Sequence, residues 1–270
     1  MGKIYGSNKI IGTVDGVRHY KITGSDDIIV AGSGGATKEQ IKNNAAFART
    51  RENMAEMTPK SKLAIMIKNK LGSWSVTVVN RYLHGFLIKW LQIAQLRNKV
   101  DLKGQRSIYL SACKDVLNNL IYHYYKPFAD IMKCKFSFET GADRRSLTVK
   151  LSNLIPNEQI KAPTEATHFR YCISIGAVCD YVFKKESGYF VPVYNFTQMM
   201  HSMQELEGPW IPIDAKSMGD STLSVRFPDD FILEDDMTVL PTFGILFGKM
   251  ISEVEPLKKD RGSIVFLGAV

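Results

Sequence analysis

The sequence predicts an α+β protein with an N-terminal β-meander, a basic helical bundle and a C-terminal antiparallel β-sandwich, immunoglobulin-like or jelly-roll-like. Three observations predict this class. Short alternating apolar runs around turn residues open the chain, helical spacing of apolar residues dominates residues 37–132, and about seven strand-like runs follow. The change of texture predicts two domains, residues 1–136 and residues 137–270.

The meander is predicted from its turns. Asp15-Gly16 lies between two strand-like runs, residues 9–14 and 17–22. Both central positions of a tight hairpin need a positive φ, which Asp and Gly tolerate. A second turn at residues 24–27 leads into the β-branched run Ile28–Ala31.

The helical region is predicted to begin at Thr37, because Thr37 and Gln40 have the spacing of a capping box. The first helix should end near Pro59, since proline disfavours the helical conformation in the residue before it. Apolar spacing and breakers predict four consecutive helices with short links, typical of a bundle. Their expected ranges are 37–57, 61–71, 75–97 and 106–132.

The C-terminal strands are predicted from short apolar runs separated by turn residues. The expected ranges are 134–138, 146–151, 168–183, 189–194, 223–227, 239–247 and 263–267. Residues 197–220 fit either a helix or a long loop.

Composition limits the class of protein. The first residues contain no apolar signal segment, and no apolar run approaches the about 20 residues of a membrane span. We therefore expect no membrane span and a cytoplasmic or particle-associated location. The cysteines, Cys113, Cys134, Cys172 and Cys179, form no metal-binding spacing, so we expect buried thiols.

Charge is divided unevenly along the chain. Residues 1–136 contain 22 Lys and Arg against 9 Asp and Glu, a net charge of +13, whereas residues 137–270 contain 13 against 18, a net charge of −5. Such asymmetry indicates an acidic partner for the first half. The partner is either nucleic acid or acidic protein, and the acidic half of a second copy is one such protein.

Eight basic residues are the candidate contacts for a partner or an anion. They are Lys38, Lys42, Arg49, Arg51, Lys60, Lys62, Lys68 and Lys70. Lysine at this density can neutralise phosphates, but lysines on helices also commonly form a solvated face. No zinc-finger or RNA-binding motif accompanies them.

The glycine-rich segment Gly32-Ser33-Gly34-Gly35 follows a strand and precedes a helix, as a phosphate-binding loop does. However, the third glycine of a dinucleotide fingerprint is missing, and so is the Lys of a P-loop. We interpret the glycines as a sharp turn; anion binding at the helix start is the alternative.

No catalytic constellation is evident. The five histidines are scattered, and the carboxylates of residues 229–236 fit a solvated acidic loop better than a divalent-cation site. We expect no enzymatic activity, no cofactor and no metal.

A resemblance supports the architecture. The segments that carry it are Gly12-Thr13, Gly16, Tyr20-Lys21, Gly34-Gly35, Phe47, Arg49-Thr50-Arg51-Glu52-Asn53, residues 162–169 and the C-terminal residues 265–270. The chain resembles an uncharacterised family of about 200-residue proteins common in Bacteroidetes. It departs from that family at Ala45, where the family often has Pro, and at Met54, where it often has Gly. The resemblance implies a fold and no particular activity.

The residues of the Arg-Thr-Arg-Glu-Asn segment also allow two interpretations by themselves. Either Phe47 and Met54 lie in the core while Arg49 or Arg51 anchors the meander through carbonyls or carboxylates, or the arginines form a basic contact site.

Together these observations predict a non-enzymatic structural or assembly protein, of phage or mobile-element type. It would self-associate or dock on a larger particle through its oppositely charged halves. The alternative is a nucleic-acid-binding protein that uses the basic helical region and contacts DNA or RNA. A carbohydrate- or peptide-binding sandwich and a hydrolase are weaker alternatives, since no residue indicates either.

Overall fold

The structure, a computed structural model, describes residues 3–5, 9–22, 27–32, 34–79, 82–118, 126–257 and 262–270. It confirms the α+β class, with an N-terminal antiparallel sheet, a helical region and C-terminal antiparallel sheets. The chain divides into two compact units, residues 1–51 and residues 52–270.

The first unit opens with a four-stranded antiparallel meander. Its strands pair in chain order and are β1 (Lys3–Tyr5), β2 (Lys9–Val14), β3 (Val17–Lys21) and β4 (Ile28–Gly32). Asp15 and Gly16 have φ values of 49° and 78°. The predicted hairpin is therefore present, with both central residues in the conformation that it requires.

A short helix, α1 (Lys38–Asn43), follows the glycine-rich segment. Gly35 has a φ of 117°, so the chain reverses here in a conformation that favours glycine. The predicted capping box is present: the Gln40 amide donates to Thr37 Oγ1 at 3.1 Å, and the Thr37 amide donates to Gln40 Oε1 at 2.8 Å. Because these groups bond each other, the start of α1 is closed by its own side chains.

The first predicted helix is divided into two. Asn44 ends α1, and its side-chain oxygen accepts from the Ala46 amide at 2.9 Å, which starts a 3-10 turn over Ala45–Phe47. A long helix, α2 (Ala48–Asn69), then continues through Pro59, where the sequence predicted an end. Leu63 and Ile67 on the following turns are fully buried, so tertiary packing outweighs the cost of the proline.

A second long helix and three short ones complete the helical region. They are α3 (Tyr82–Arg97), α4 (Asp115–Asn118), α5 (Phe128–Ile131) and α6 (Pro156–Gln159), with a 3-10 turn at Ser73–Thr77 between α2 and α3. The single helix predicted over residues 106–132 is not formed: in the described part of this range only the short helices α4 and α5 are helical. Ile108 instead makes a bridge with Tyr181, and residues 119–125 lie outside the described residues.

The remaining strands follow in chain order. They are β5 (Phe136–Thr140), β6 (Ser146–Leu151), β7 (His168–Val178), β8 (Tyr181–Lys184), β9 (Tyr189–Pro192), β10 (Met203–Glu207), β11 (Ile211–Pro212), β12 (Ser221–Arg226), β13 (Thr238–Met250), β14 (Val254–Pro256) and β15 (Ser263–Phe266). A six-stranded sheet has the order β10-β7-β13-β14, with β11 also on β7 and β15 also on β13. A three-stranded sheet has the order β12-β6-β5, and β8 pairs with β9.

The six-stranded sheet is the middle layer of three. Alternate residues of β7, such as Phe169 and Ile173, share a core cluster with Val149 of the three-stranded sheet. The intervening residues face the other way, and Cys172 shares a second cluster with Leu63 of α2. The two sheets thus form a sandwich. Helices cover the outer face of its six-stranded sheet and make a third layer that the sequence did not predict.

This layering explains why the compact units differ from the expected division at residue 136. Helices α2 and α3, from the predicted first domain, pack against strands β7 and β13 of the predicted second domain. Residues 52–270 consequently share one body with two core clusters, and the separate unit is the short N-terminal one.

Candidate functional site

The eight predicted basic residues are divided between the two units and differ in exposure. Lys38, Lys42 and Arg49 are exposed in the first unit. Arg51 is half-buried, and its Nη1 donates to the carbonyl oxygens of Ile41 at 2.8 Å and Asn44 at 2.9 Å. Arg51 thus satisfies carbonyls at the end of α1, whereas the first interpretation of this segment placed the arginine contacts on the meander. Met54, expected in the core under that interpretation, is 59% exposed.

Lys60 belongs to a buried polar cluster. Its Nζ donates to Gln92 Oε1, and Glu56 lies one helical turn before it. Glu56 accepts at 2.7 Å from the Gly104 amide, from Arg106 Nε and from Arg106 Nη2. Lys60 is 5% exposed, so it is unavailable to a large partner. Burial lowers the pKa of its ammonium, and Glu56 opposes that shift.

Lys62 and Lys70 line a groove of about 410 Å³ on one side of α2. Its lining residues are Lys62, Ile65, Met66, Asn69, Lys70, Tyr181, Pro192, Tyr194, Asn195, Phe196 and Met199. We call it the lysine–aromatic groove. Lys68, the last of the eight, is half-buried and does not line it.

Helical periodicity builds the first wall of this groove. Positions 62, 65, 66 and 69 recur at three- and four-residue intervals, so their side chains lie on one face of α2, and Lys70 directly follows the last residue of the helix. Lys62 is exposed at one end, and Lys70 is half-buried at the other.

The second wall is the segment after β9. Its turn is fixed by a reciprocal pair of hydrogen bonds: the Asn195 amide donates to Gln198 Oε1, and the Gln198 amide donates to Asn195 Oδ1, each at 3.0 Å. Phe196, between them, leaves 86% of its surface exposed. The ring therefore lies outside the core, beside the apolar lining of the groove.

Lys70 is the most enclosed cation of the groove. Burial lowers the pKa of its ammonium, and no carboxylate is among the groups that oppose this shift. None of the residues that line the groove is Asp or Glu. The groove therefore carries positive charge beside apolar surface.

A second cavity, of about 300 Å³, lies on the other side of Tyr194 and is acidic. His201 Nδ1 lies 3.0 Å from Asp230 Oδ2, and the Tyr194 hydroxyl donates to Asp236 Oδ1 at 2.5 Å. That hydrogen bond raises the pKa of Tyr194. His201 has a φ of 60°, in the left-handed region.

Ser202, the residue after His201, is not among the residues that line this cavity. The neighbouring Ser202 hydroxyl is buried and donates to the Met199 carbonyl at 2.6 Å. Among the residues that the structure describes, no group of three His, Cys, Asp or Glu could hold a metal ion. Asp235 instead pairs with Arg144 at 3.5 Å, and the acidic loop remains solvated.

All four cysteines are buried and free, as predicted. Burial raises the pKa of the thiols of Cys134, Cys172 and Cys179, so they are packing groups and not reactive thiolates.

The sequence does not predict the groove, because its second wall extends into residues 197–220, which fit either a helix or a long loop. The available signal was Phe196 inside the polar run Asn195–Gln198, where the polar residues close a turn and leave the ring without a core position.

Comparison with known proteins adds no assignment: no protein-family model matches the chain, and no curated protein matches it. Within the described ranges, no helix is long and apolar enough to cross a membrane.

Proposed function

We propose that the protein is a structural, non-enzymatic component that assembles with further copies of itself through its N-terminal unit. The observation that carries this proposal is that the N-terminal unit buries so little of its own surface. Among residues 10–22, 27–32 and 34–51, none is buried. The second unit, in contrast, has two extensive core clusters.

A sheet with little burial is unstable alone. Ordering each residue costs about 1–2 kcal/mol of backbone entropy, which apolar burial must offset. In the meander the apolar side chains are partly or largely exposed, among them Tyr20 at 44%, Ile22 at 54% and Val30 at 60%. Contact with another protein would supply the missing burial.

The edges of the meander support the same role. The sheet order β1-β2-β3-β4 leaves the outer sides of β1 and β4 without a strand partner among the described residues. Unpaired edges of this kind are templates for strand addition from another chain.

Charge favours a second copy as the partner. Residues 1–51 contain 8 Lys and Arg against 4 Asp and Glu, a net charge of +4. The second unit is also +4 overall, but its C-terminal region, residues 137–270, has a net charge of −5. Much of the negative charge is concentrated at residues 229–236, where the Asp235 side chain is fully exposed. A basic unit meeting the acidic region of the next copy makes a heterologous contact, which builds rings or filaments.

A matched pair of substitutions tests the proposal. Val30→Glu places a negative charge on β4, while Val100→Glu makes the same change at a valine that is 93% exposed in a loop of the second unit. Light scattering over a protein concentration series measures the mass of each. We expect Val30→Glu to need about tenfold more protein to reach the parent mass, because burial of one valine contributes about 1.5–3 kcal/mol. Val100→Glu should match the parent.

A parent protein that stays monomeric at low salt and high concentration contradicts the proposal. If Val30→Glu and Val100→Glu change the mass of the assembly equally, the N-terminal unit does not form the contact between copies.

A further inference from the structure

We propose that the lysine–aromatic groove binds single-stranded nucleic acid, with Phe196 and Tyr194 stacking on bases and Lys62 and Lys70 contacting phosphates. The groove lies wholly in the second unit, and its role is independent of self-assembly.

The aromatic side chains provide the first reason. Phe196 is 86% exposed and lines the groove with Tyr194 and Tyr181. Aromatic rings at the mouth of a groove stack on the faces of unpaired bases, whereas bases of a duplex are already stacked. The reciprocal hydrogen bonds of Asn195 and Gln198 hold the Phe196 turn before any ligand arrives, so little side-chain order must be gained on binding.

The two lysines provide the second reason. Lys62 lies in α2 and Lys70 directly follows the last residue of that helix, so at the rise of a helix their backbones lie about 12 Å apart along the axis. This exceeds the width of one phosphate group, so the two ammonium groups fit separate phosphates of one strand. Lys70 is half-buried, and burial lowers the pKa of its ammonium without a carboxylate to compensate. A phosphate would supply the missing negative charge.

The charged residues of the two cavities beside Tyr194 determine where a polyanion can lie. The lining residues of the groove include no carboxylate, but Asp230 and Glu234 line the cavity beyond Tyr194. A polyanion would be attracted along α2 and repelled past Tyr194. The volume of about 410 Å³ lies within the range of small-ligand sites, and its open side allows a longer strand to continue over the surface.

The test is fluorescence anisotropy of a labelled oligothymidine of about ten nucleotides, titrated with the full chain at several salt concentrations. The parent should bind the single strand more tightly than a duplex of equal length. Affinity should fall as salt rises from about 50 mM to about 200 mM. Phe196→Ala should weaken binding about tenfold. Lys62→Glu should weaken it and reduce the slope of log affinity against log salt by about one or more.

Matched controls separate the groove from general surface charge. Tyr189→Ala removes another exposed aromatic ring, which is 73% exposed at the β8–β9 hairpin, and Lys89→Glu reverses an exposed lysine on α3. Both controls should bind within about twofold of the parent. Three results would each overturn the proposal: no binding at about 50 mM salt, equal affinity for duplex and single strand, or equal losses in Phe196→Ala and Tyr189→Ala.

Discussion

Glu56 shows how a buried charge is balanced in this fold. Its side chain is 3% exposed and meets Arg106 at 2.7 Å, and the Gly104 amide donates a further hydrogen bond. Burial alone raises the pKa of Glu56, but the hydrogen bonds from Arg106 and Gly104 and the charges of Arg106 and Lys60 outweigh it and lower the pKa. The cluster ties α2 to the loop after α3.

Substituting Glu56→Gln should therefore destabilise the protein by about 3 kcal/mol at neutral pH, because it leaves Arg106 buried without its counter-charge. Urea unfolding measures the change. Glu186→Gln, at an exposed glutamate of the β8–β9 turn, should change stability by less than about 0.5 kcal/mol.

The pH dependence of this difference has a defined sign. A carboxyl whose pKa is lower in the folded state stabilises the protein above its ordinary pKa of about 4.3 and loses that contribution as the pH falls through the lowered value. The difference between parent and Glu56→Gln should thus shrink in acid. A difference that stays constant from neutral pH to about pH 3 would exclude this role for the carboxylate.

At the scale of helices and strands, the contact between Trp74 and Gly244 joins the helical layer to the sheet. Trp74, in the 3-10 turn between α2 and α3, is 2% exposed. A Cβ atom at Gly244 of β13 would lie 2.2 Å from Trp74 Cζ3. Strand β13 therefore requires glycine at this position for the helical layer to approach.

Two glycine-to-alanine substitutions test this packing, because they should change the free energy of unfolding in opposite directions. Gly244→Ala should destabilise the protein by about 1–3 kcal/mol, because the buried indole cannot move aside. Gly85→Ala, inside α3 with nothing within 4 Å of its added Cβ, should stabilise it by about 0.5–1 kcal/mol. Thermal unfolding of both variants measures the effects; a neutral or stabilising Gly244→Ala would show that Trp74 does not fix the layer.

The local signals of the sequence were sufficient for turns, caps and single strands. Asp15-Gly16 predicted its hairpin, Thr37 and Gln40 predicted their capping box, and strand 146–151 has the predicted bounds. Each of these features depends on residues a few positions apart, whose chemistry the sequence shows directly.

Features that depend on distant residues could not be predicted in the same way. Helix α2 passes through Pro59 because its buried face packs on the six-stranded sheet, whose first strand begins at His168. Strands β7 and β13 are buried on both faces, so their alternation is hidden and the helical layer above them was not foreseen. The groove likewise combines α2 with residues more than 100 positions away.

At the scale of the whole molecule, the division of the chain differs from the division of its charge. The net charge of the sequence changes sign near residue 136, but the boundary between the compact units falls between residues 51 and 52. Residues 52–136 are basic and yet share a core with the acidic C-terminal segment. Part of the charge asymmetry is therefore neutralised inside one unit, and residues 1–51 and residues 52–270 each carry a net charge of +4.

The most direct test of self-assembly is the mass of the parent protein in solution, measured by light scattering from about 50 mM to about 200 mM salt without nucleic acid. We predict species of several copies at low salt whose mass falls as salt screens the contact between basic and acidic surfaces. A single monomeric species at every salt and protein concentration would contradict the account.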